Sequence, residues 1–375
     1  MSHFAKREER IASISTVLDG YAMMPAHVFS RGDEPMKVDL TLPRFRLEDV
    51  PALARRVEAL GFDGLWFGET GGDPFLAIAL AAEHTERITL GTGIAVAFPR
   101  SPMVTAYIAW DLQRLSRGRM ILGLGSQVKG HIERRFGLKW KAPAPWLREY
   151  IAALRAIWAA WRDGTPLNFR GEHYTLSLMT PFFTPEPNPY PDVPVHISAV
   201  NPTMLRLAGQ VADGVHVHPL HSERSLRELV LPELEAGWRA AGRERSQFEI
   251  VAAAIIASGR DATEWEESRR FARAQIGFYG STPTYRILLE RHGFTEQAER
   301  LRALAATGRW DELADAVSEE MLQTFALVAP PEEVAERLRE RYRSLVDRIV
   351  FYGLRLPRPL TDKAFWRATI QTLKA

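Results

Sequence analysis

Apolar residues recur along this chain in two alternating rhythms, one helical and one extended. Lys37-Val38-Asp39-Leu40-Thr41-Leu42 is the first clear element, and it reads as a strand. Val50, Leu53, Ala54, Val57 and Leu60 then fall on one helical face, with Asp49 as a cap before them and Gly61 as a terminator behind. The apolar run 63–67 is bounded by glycine and too short for a helix. Asp73-Pro74 pairs a capping residue with proline at the first helical position, opening a helix to about residue 84. Strands at 88–96 and 120–124 flank a helix that Ser101-Pro102 caps and Gly118 ends. Leu147, Tyr150, Ile151, Leu154, Ile157, Trp158 and Trp161 keep helical spacing over four turns, a buried face. Strands at 193–199, 213–218, 248–257 and 347–352 complete the series. Helices lie between them: one capped by Asn201-Pro202, one carrying Leu226, Leu229, Leu234 and Trp238, and a long stretch over 262–344 with restart signals at Ser281 and Pro331. A last helix presents Phe365, Trp366, Ile370 and Leu373.

Eight strands joined by helices, apolar without clean alternation, imply a parallel sheet covered on both faces. Eight βα units closing on themselves form an α/β (β/α)8 TIM barrel, with an open doubly wound sheet as the less natural alternative. The expected organisation is an N-terminal extension over 1–35 and a single barrel domain over 36–375, with insertions at about 163–192 and 262–344. Met36 is a candidate translation start; a lid, or an arm on a neighbouring subunit, is the other reading of 1–35. The connection at 163–192 is followed closely by Pro194 and holds Pro181, Pro185, Pro187, Pro189 and Pro191, so it cannot enter a sheet interior. It reads as an ordered excursion over the barrel mouth.

Composition narrows the function. An apolar share of 46%, with ten Trp and eighteen Phe, excludes a disordered chain. Forty-eight Lys and Arg against forty-six Asp and Glu give no bias toward polyanions, hence no nucleic-acid partner. The absence of cysteine removes disulfides, thiolate nucleophiles, Cys-bound zinc and iron–sulfur clusters. No run approaches the ~18 uncharged residues of a membrane span, and residues 1–35 lack the apolar core of a secretory signal. A cytoplasmic location is the expectation.

In a barrel the chemistry sits at the carboxyl ends of the strands. Those ends carry Glu69 and Thr70, Gly93-Ile94, Ser126-Gln127 with His131 soon after, Ser198-Ala199-Val200-Asn201, and His216, His218 and His221. Gly123-Leu124-Gly125 lacks the spacing of a dinucleotide fingerprint and the Lys of a P-loop, and no Gly-x-Ser-x-Gly elbow occurs. His216-x-His218 has metal-ligand spacing, but Glu69 alone is thin support on other strand ends, so no metal is expected. Gly91 and Gly93 inside an apolar strand mark either tight packing or close approach of backbone to a ligand. Small residues on three neighbouring strand ends favour a large flat ligand resting on main chain. Asn201-Pro202 adds a helix N-terminus able to hold a phosphate, or simply an ordinary cap.

Leu90-Gly91-Thr92-Gly93-Ile94, Arg100-Ser101-Pro102 and Leu115-Ser116-Arg117-Gly118-Arg119-Met120-Ile121-Leu122-Gly123-Leu124-Gly125 together resemble the bacterial luciferase-like superfamily of flavin and deazaflavin enzymes. Pro194-Val195-His196-Ile197-Ser198-Ala199, Leu207-Ala208-Gly209 and Ala212-Asp213-Gly214 are similar to the same superfamily, and the likeness spans about 36–355. Asp73-Pro74-Phe75, Gly125-Ser126-Gln127, His131-Ile132-Glu133-Arg134-Arg135-Phe136-Gly137 and Phe278-Tyr279-Gly280-Ser281-Thr282-Pro283 look like its F420-dependent oxidoreductase branch. The resemblance implies a deazaflavin ring across the strand ends and a cis Gly93–Ile94 peptide forming a bulge behind it. It implies cofactor contacts from Glu69, Thr70, Gly93, Ile94, Ser126, Gln127, His131, Ser198, Ala199, Val200 and Asn201, and a homodimer. Thr70 stands where some sugar-phosphate-oxidising relatives carry His, and Thr cannot act as a base near neutral pH. Glu69, His131 and His218 are the candidate proton donors or acceptors.

The function so implied is hydride transfer between coenzyme F420 and a small organic substrate, with the cofactor carrying the reactivity. An FMN-dependent monooxygenase using O2 is the alternative on the same barrel. A cofactor-free hydrolase or lyase would need converging carboxylates that the strand ends lack, and a non-catalytic binding subunit remains the fourth reading.

Overall fold

The computed structural model describes residues 35–352 and 355–375; of the expected extension over 1–35, all but residue 35 lies outside the described residues. The strands are β1 (Lys37–Leu42), β2 (Gly64–Phe67), β3 (Thr89–Thr92), β4 (Ala95–Val96), β5 (Met120–Gly125), β6 (Phe169–Arg170), β7 (Thr175–Leu176), β8 (Val195–Ala199), β9 (Gly214–Val217), β10 (Glu249–Ala257), β11 (Ala326–Val328) and β12 (Arg348–Tyr352). A continuous ring runs β1–β2–β3–β5–β8–β9–β10–β12 and returns to β1, every pairing parallel. Helices cover the outside, so the protein is a closed (β/α)8 barrel whose eight strands match the eight apolar runs. No described helix is long and apolar enough to cross a membrane.

Strand alternation sorts side chains between the helices and the barrel axis. Along the axis, Asp39, Trp66, His196, His216, Glu249 and Arg348 form a polar floor. The Arg348 Nη1 donates to both Asp39 oxygens at 3.0 Å, and its Nε donates to Glu249 at 3.0 Å. Trp66 Nε1 donates to Asp39 at 2.8 Å, and Lys37 Nζ to Glu249 at 2.7 Å. Arg348 thus ties the last strand to the first and to β10, with its guanidinium 3% and Asp39 0% exposed. Burial pushes the Asp39 carboxyl up against the pull of the guanidinium. At Glu249 burial also opposes ionisation, but Arg348, followed by His196 and Lys37, wins and holds it down to about 2.

Strand glycines make room for this floor. A Cβ at Gly91 would lie 2.3 Å from the Trp66 ring, and one at Gly64 would lie 2.6 Å from Asp39 Oδ1. Of the two readings of Gly91, packing is therefore the correct one: its missing side chain admits an indole, not a ligand.

Two expectations need correction. The stretch 262–344 is not all helix: Ala326–Val328 pairs in parallel with Ile255–Ala257, extending the sheet beyond the barrel ring. Backbone pairing with the overhanging end of β10 overrides the helical pattern of its neighbours. The proline-rich run does not cover the mouth but descends the flank along the helix Pro102–Leu115. Its carbonyls at Phe183, Glu186 and Asp192 accept from Tyr107, Trp110 and Gln113, and Asn188 Nδ2 donates to the Trp110 carbonyl. Proline-rich backbone is short of donors, so the helix supplies them. The β6–β7 hairpin climbs back to the start of the helix Pro143–Asp163, where Glu149 accepts from the N–H groups of Glu172, His173 and Tyr174.

Arg348→Met leaves two buried carboxylates without their shared counter-ion and is expected to lose ~3–5 kcal/mol in urea unfolding. Because Glu249 is depressed in the folded state, its contribution is complete above the unfolded-state carboxylate value of ~4.3. That contribution disappears as pH falls toward about 2. Stability measured across this acid window should fall less steeply for Glu249→Gln than for the native chain.

Candidate active site at the barrel mouth

The register between β3–β4 and β5 shifts by one residue. Leu90 and Gly91 face Met120 and Ile121, whereas Ala95 and Val96 face Leu124 and Gly125, so three residues, Thr92-Gly93-Ile94, oppose two. This is a bulge, and the Gly93–Ile94 peptide within it is cis. The end of β2 grips it from the other side: Gly93 N–H donates to the Phe67 carbonyl at 2.8 Å, and Glu69 N–H donates to the Ile94 carbonyl at 3.2 Å. The Ile94 side chain reaches over Gly125, where an added Cβ would come within 2.4 Å of Ile94 Cδ1 and 2.8 Å of Ser198 Oγ.

Alternation carries the interior set upward from Trp66, Gly91, Ile121, His196, His216 and Val350. The next residues on the same faces are Gly68, Gly93, Gly123 followed by Gly125 on β5, Ser198, His218 and Tyr352. The mouth therefore has a shallow arc over β2 to β8, where the top positions are glycine or serine, and a taller arc whose outer strands β9 and β12 end in His218 and Tyr352, with Ala253 and Ile255 on the same face of β10 between them. On the shallow side the backbone N–H groups of Ser126, Gln127, Val200 and Asn201 donate to no described residue. Gln127 sits at φ 56°, and its own Oε1 accepts from Val128 N–H at 3.0 Å, which holds that turn open. Ser126 Oγ makes only a long bond, 3.3 Å, to the Gln127 carbonyl.

Glu69 is already bonded. Its Oε2 accepts from Val96 N–H at 2.7 Å and from Arg100 Nη1 at 2.8 Å, and Arg100 Nη2 reaches Asp73 at 3.0 Å. The carboxylate joins β2, β4 and the following loop, pinning the bulge between them. Thr70 Oγ1 donates to the Pro43 carbonyl, and the Thr70 carbonyl accepts from Arg135. His131 is exposed on the short helix Lys129–Arg134, and its carbonyl accepts from Arg135 and Phe136. Asn201 Oδ1 caps the helix Pro202–Val211 through Met204 N–H, leaving its own N–H for a ligand. Ala199 is buried at the end of β8.

On the tall side His218 Nδ1 accepts from Leu220 N–H at 3.1 Å, so the proton of the neutral ring sits on Nε2. Burial pushes its pKa down to about 3, with His221 adding to the effect. His216 does not join it in a metal pair. His216 lies one layer below, edge-on to Trp66 at 4.7 Å, while the His218 ring lies against Tyr285 at 4.0 Å and Tyr279 at 4.6 Å. His221 bridges the His218 carbonyl and the Tyr342 hydroxyl, and burial lowers it to about 4. Among the described residues no three His, Asp or Glu side chains are grouped to hold a metal.

Sequence reading singled out the shallow arc and His218, and placed Tyr285 only within a pocket-forming segment 278–330; it did not name Arg100 as the partner of Glu69 or Tyr352 as a residue of the mouth. Tyr352 had a usable signal: in the run Arg348-Ile349-Val350-Phe351-Tyr352 it shares the face of Arg348. Nothing local marks Arg100.

The fold is a closed parallel barrel whose mouth carries, on one side, glycine and serine at the axial strand ends and amide N–H groups that donate to no described residue. The luciferase-like monooxygenase family model matches residues 23–348, and the chain belongs to that family. It is 47% identical over 319 residues to the protein Rv1360 of Mycobacterium tuberculosis, covering 85% of this chain and 94% of that one. It is 28% identical over 318 residues to a 5,10-methylenetetrahydromethanopterin reductase of Archaeoglobus fulgidus, covering 82% and 90%. Among solved structures, the coenzyme F420-dependent tetrahydromethanopterin reductase of Methanopyrus kandleri superposes with a TM-score of 0.72 at 22% identity, over 91% of this chain and 97% of that one. The oxygenating constituent of 3,6-diketocamphane monooxygenase of Pseudomonas putida, with FMN, superposes at 0.62 and 16%, over 90% and 96%.

Gly125→Ala forces Ile94 or Ser198 to move and is expected to cost ~1–3 kcal/mol in urea unfolding; an unchanged midpoint contradicts the close packing. The imidazole C–H resonances of His218 should stay fixed between about pH 5 and pH 9, where an ordinary histidine titrates. A step in that interval contradicts the enclosed neutral ring.

Proposed function

We propose that the protein is an F420-dependent oxidoreductase that transfers a hydride between the deazaflavin and a small organic substrate. The ledge carries this reading. A flat heterocycle edged with carbonyl groups needs an apolar face and backbone donors along its rim, and the shallow arc supplies both. Gly93 and Ile94 would back the ring. Ser126, Gln127, Ser198, Ala199 and Val200 would meet its polar edge, and Asn201 at its helix N-terminus would meet a phosphate. Thr70 and His131 border the same arc. When bound, the deazaflavin supplies a carbon that gives or takes hydride, and the protein supplies orientation and a water-poor wall. Of the candidate proton-handling groups, Glu69 acts here by fixing the bulge through Arg100 and Val96. His218, neutral with its proton on Nε2, donates a hydrogen bond. His131 is left to exchange protons at the open edge.

A relative named as a putative coenzyme F420-dependent oxidoreductase, Rv3520c of Mycobacterium tuberculosis, 28% identical over 300 residues, supports F420 over FMN. The monooxygenase solved with FMN keeps the flavin reading as the alternative, with O2 as co-substrate. A homodimer is also proposed: Leu76, Val104 and Phe183 are 57%, 50% and 58% exposed on the flank helices and the proline-rich run. A second copy would cover them.

Fluorescence titration with F420 and with FMN separates the readings. F420 is expected to bind at micromolar affinity and FMN far more weakly, with Ser126→Ala and Glu69→Gln each weakening F420. Tight FMN binding with substrate-dependent oxygen uptake overturns the deazaflavin reading.

A further inference from the structure

The tall arc carries more chemistry than a redox cofactor requires. Tyr352 ends β12 on the axial face, and its hydroxyl lies 2.8 Å from that of Tyr279, which comes from the helix Ala262–Gly280. Tyr285 stands beside them, its ring 6.3 Å from Tyr279 and 4.0 Å from His218. The donors can be followed proton by proton. The Tyr279–Tyr352 pair uses one hydroxyl proton internally and keeps one. The Tyr285 hydroxyl and His218 Nε2–H bond to no described residue. Three uncommitted donors therefore meet on one aromatic wall.

The wall is uncharged. Among the described residues the electrostatic partners of these four side chains are one another and His221, none of them Lys, Arg, Asp or Glu. Behind His221 stands the Tyr342 hydroxyl, and the Arg341 guanidinium acts on both from that far side. Desolvation keeps the imidazole unprotonated and raises the phenols, Tyr285 to about 12. A carboxylate or phosphate brought here would lose its hydration with no cation to replace it. A neutral oxygen acceptor on a flat apolar body would gain hydrogen bonds and ring contact together.

We infer that His218, Tyr279, Tyr285 and Tyr352 form the substrate-recognition wall and select an uncharged, planar carbonyl compound, its oxygen held by the Tyr352–Tyr279 pair and His218 Nε2–H. The inference rests on the oxidoreductase reading, because it gives the arc opposite the ledge to the substrate. It makes these tyrosines specificity-determining residues.

Acetophenone and benzoate share a ring and differ in charge, so they serve as probes. Their affinities are measured by saturation-transfer NMR on the full chain, alone and with F420 added. Acetophenone should bind, and benzoate at least ~10-fold more weakly. Tyr352→Phe and His218→Phe should each weaken acetophenone ~5-fold, the usual effect of one lost neutral hydrogen bond. F420 affinity of Tyr352→Phe should stay as in the native chain and its melting transition should remain single and cooperative, which separates recognition from loss of fold. Tyr285→Phe, whose hydroxyl is not one of the two donors that hold the oxygen, is the control variant and should leave acetophenone affinity unchanged. Equal affinity for benzoate, no acetophenone binding, or undiminished binding by both Tyr352→Phe and His218→Phe overturns the inference. If F420 fails to bind while the preference for acetophenone persists, the deazaflavin reading falls and the wall stands. If F420 binds and the preference is missing, the wall falls alone.

Discussion

A barrel closes only when its last strand finds its first, and here the join is made by a buried guanidinium. Arg348 on β12 donates to Asp39 on β1 and to Glu249 on β10, so one side chain spans three neighbouring strands. Lys37 and Trp66 complete the set around the two carboxylates. A buried ion pair adds little net stability over an apolar replacement, but breaking one partner is costly. Its effect here is on register. With Arg348 fixed toward the axis, strand alternation leaves Val350 and then Tyr352 on the same face, and the composition of the mouth follows.

That composition is lopsided, and the proposed function assigns a separate task to each side. From β2 to β8 the uppermost axial positions are Gly68, Gly93, Gly125 and Ser198, so main chain and the Ile94 side chain form the surface. Glu69 and Arg100 brace this side from behind. On β9 and β12 the uppermost positions are His218 and Tyr352, joined by Tyr279 and Tyr285 from the segment after β10. On the proposed function a planar redox group would lie on the first surface and a substrate against the second. Their opposition across one mouth would bring two reactants into a single orientation.

The fold was legible because each of the eight strands is an apolar run with its own stop signals, and because helix starts such as Asp73-Pro74, Ser101-Pro102 and Asn201-Pro202 are local. All three caps form, with side chains accepting from Phe75, Val104 and Met204 N–H. What stayed hidden depends on distant partners. Ala326–Val328 becomes a strand only because β10 overhangs the barrel, and the proline-rich run follows the helix Pro102–Leu115 because that helix carries donors for its carbonyls. Within the site, the glycine-rich strand ends could be read from sequence, whereas the commitment of Glu69 to Arg100 could not. Gly91 carries the same residue type as Gly93 with a different cause: one accommodates Trp66, the other lies in the bulge.

The account's central claim is that the shallow arc is a seat for a planar redox heterocycle. A crystal structure of the protein grown with oxidised F420 tests it most directly. The account predicts the ring lying against Ile94, its polar edge toward the amides of Ser126 and Val200, and its far face turned to His218 and Tyr352. A ring bound elsewhere on the surface, or a mouth filled by the chain's own side chains with F420 excluded, would contradict it.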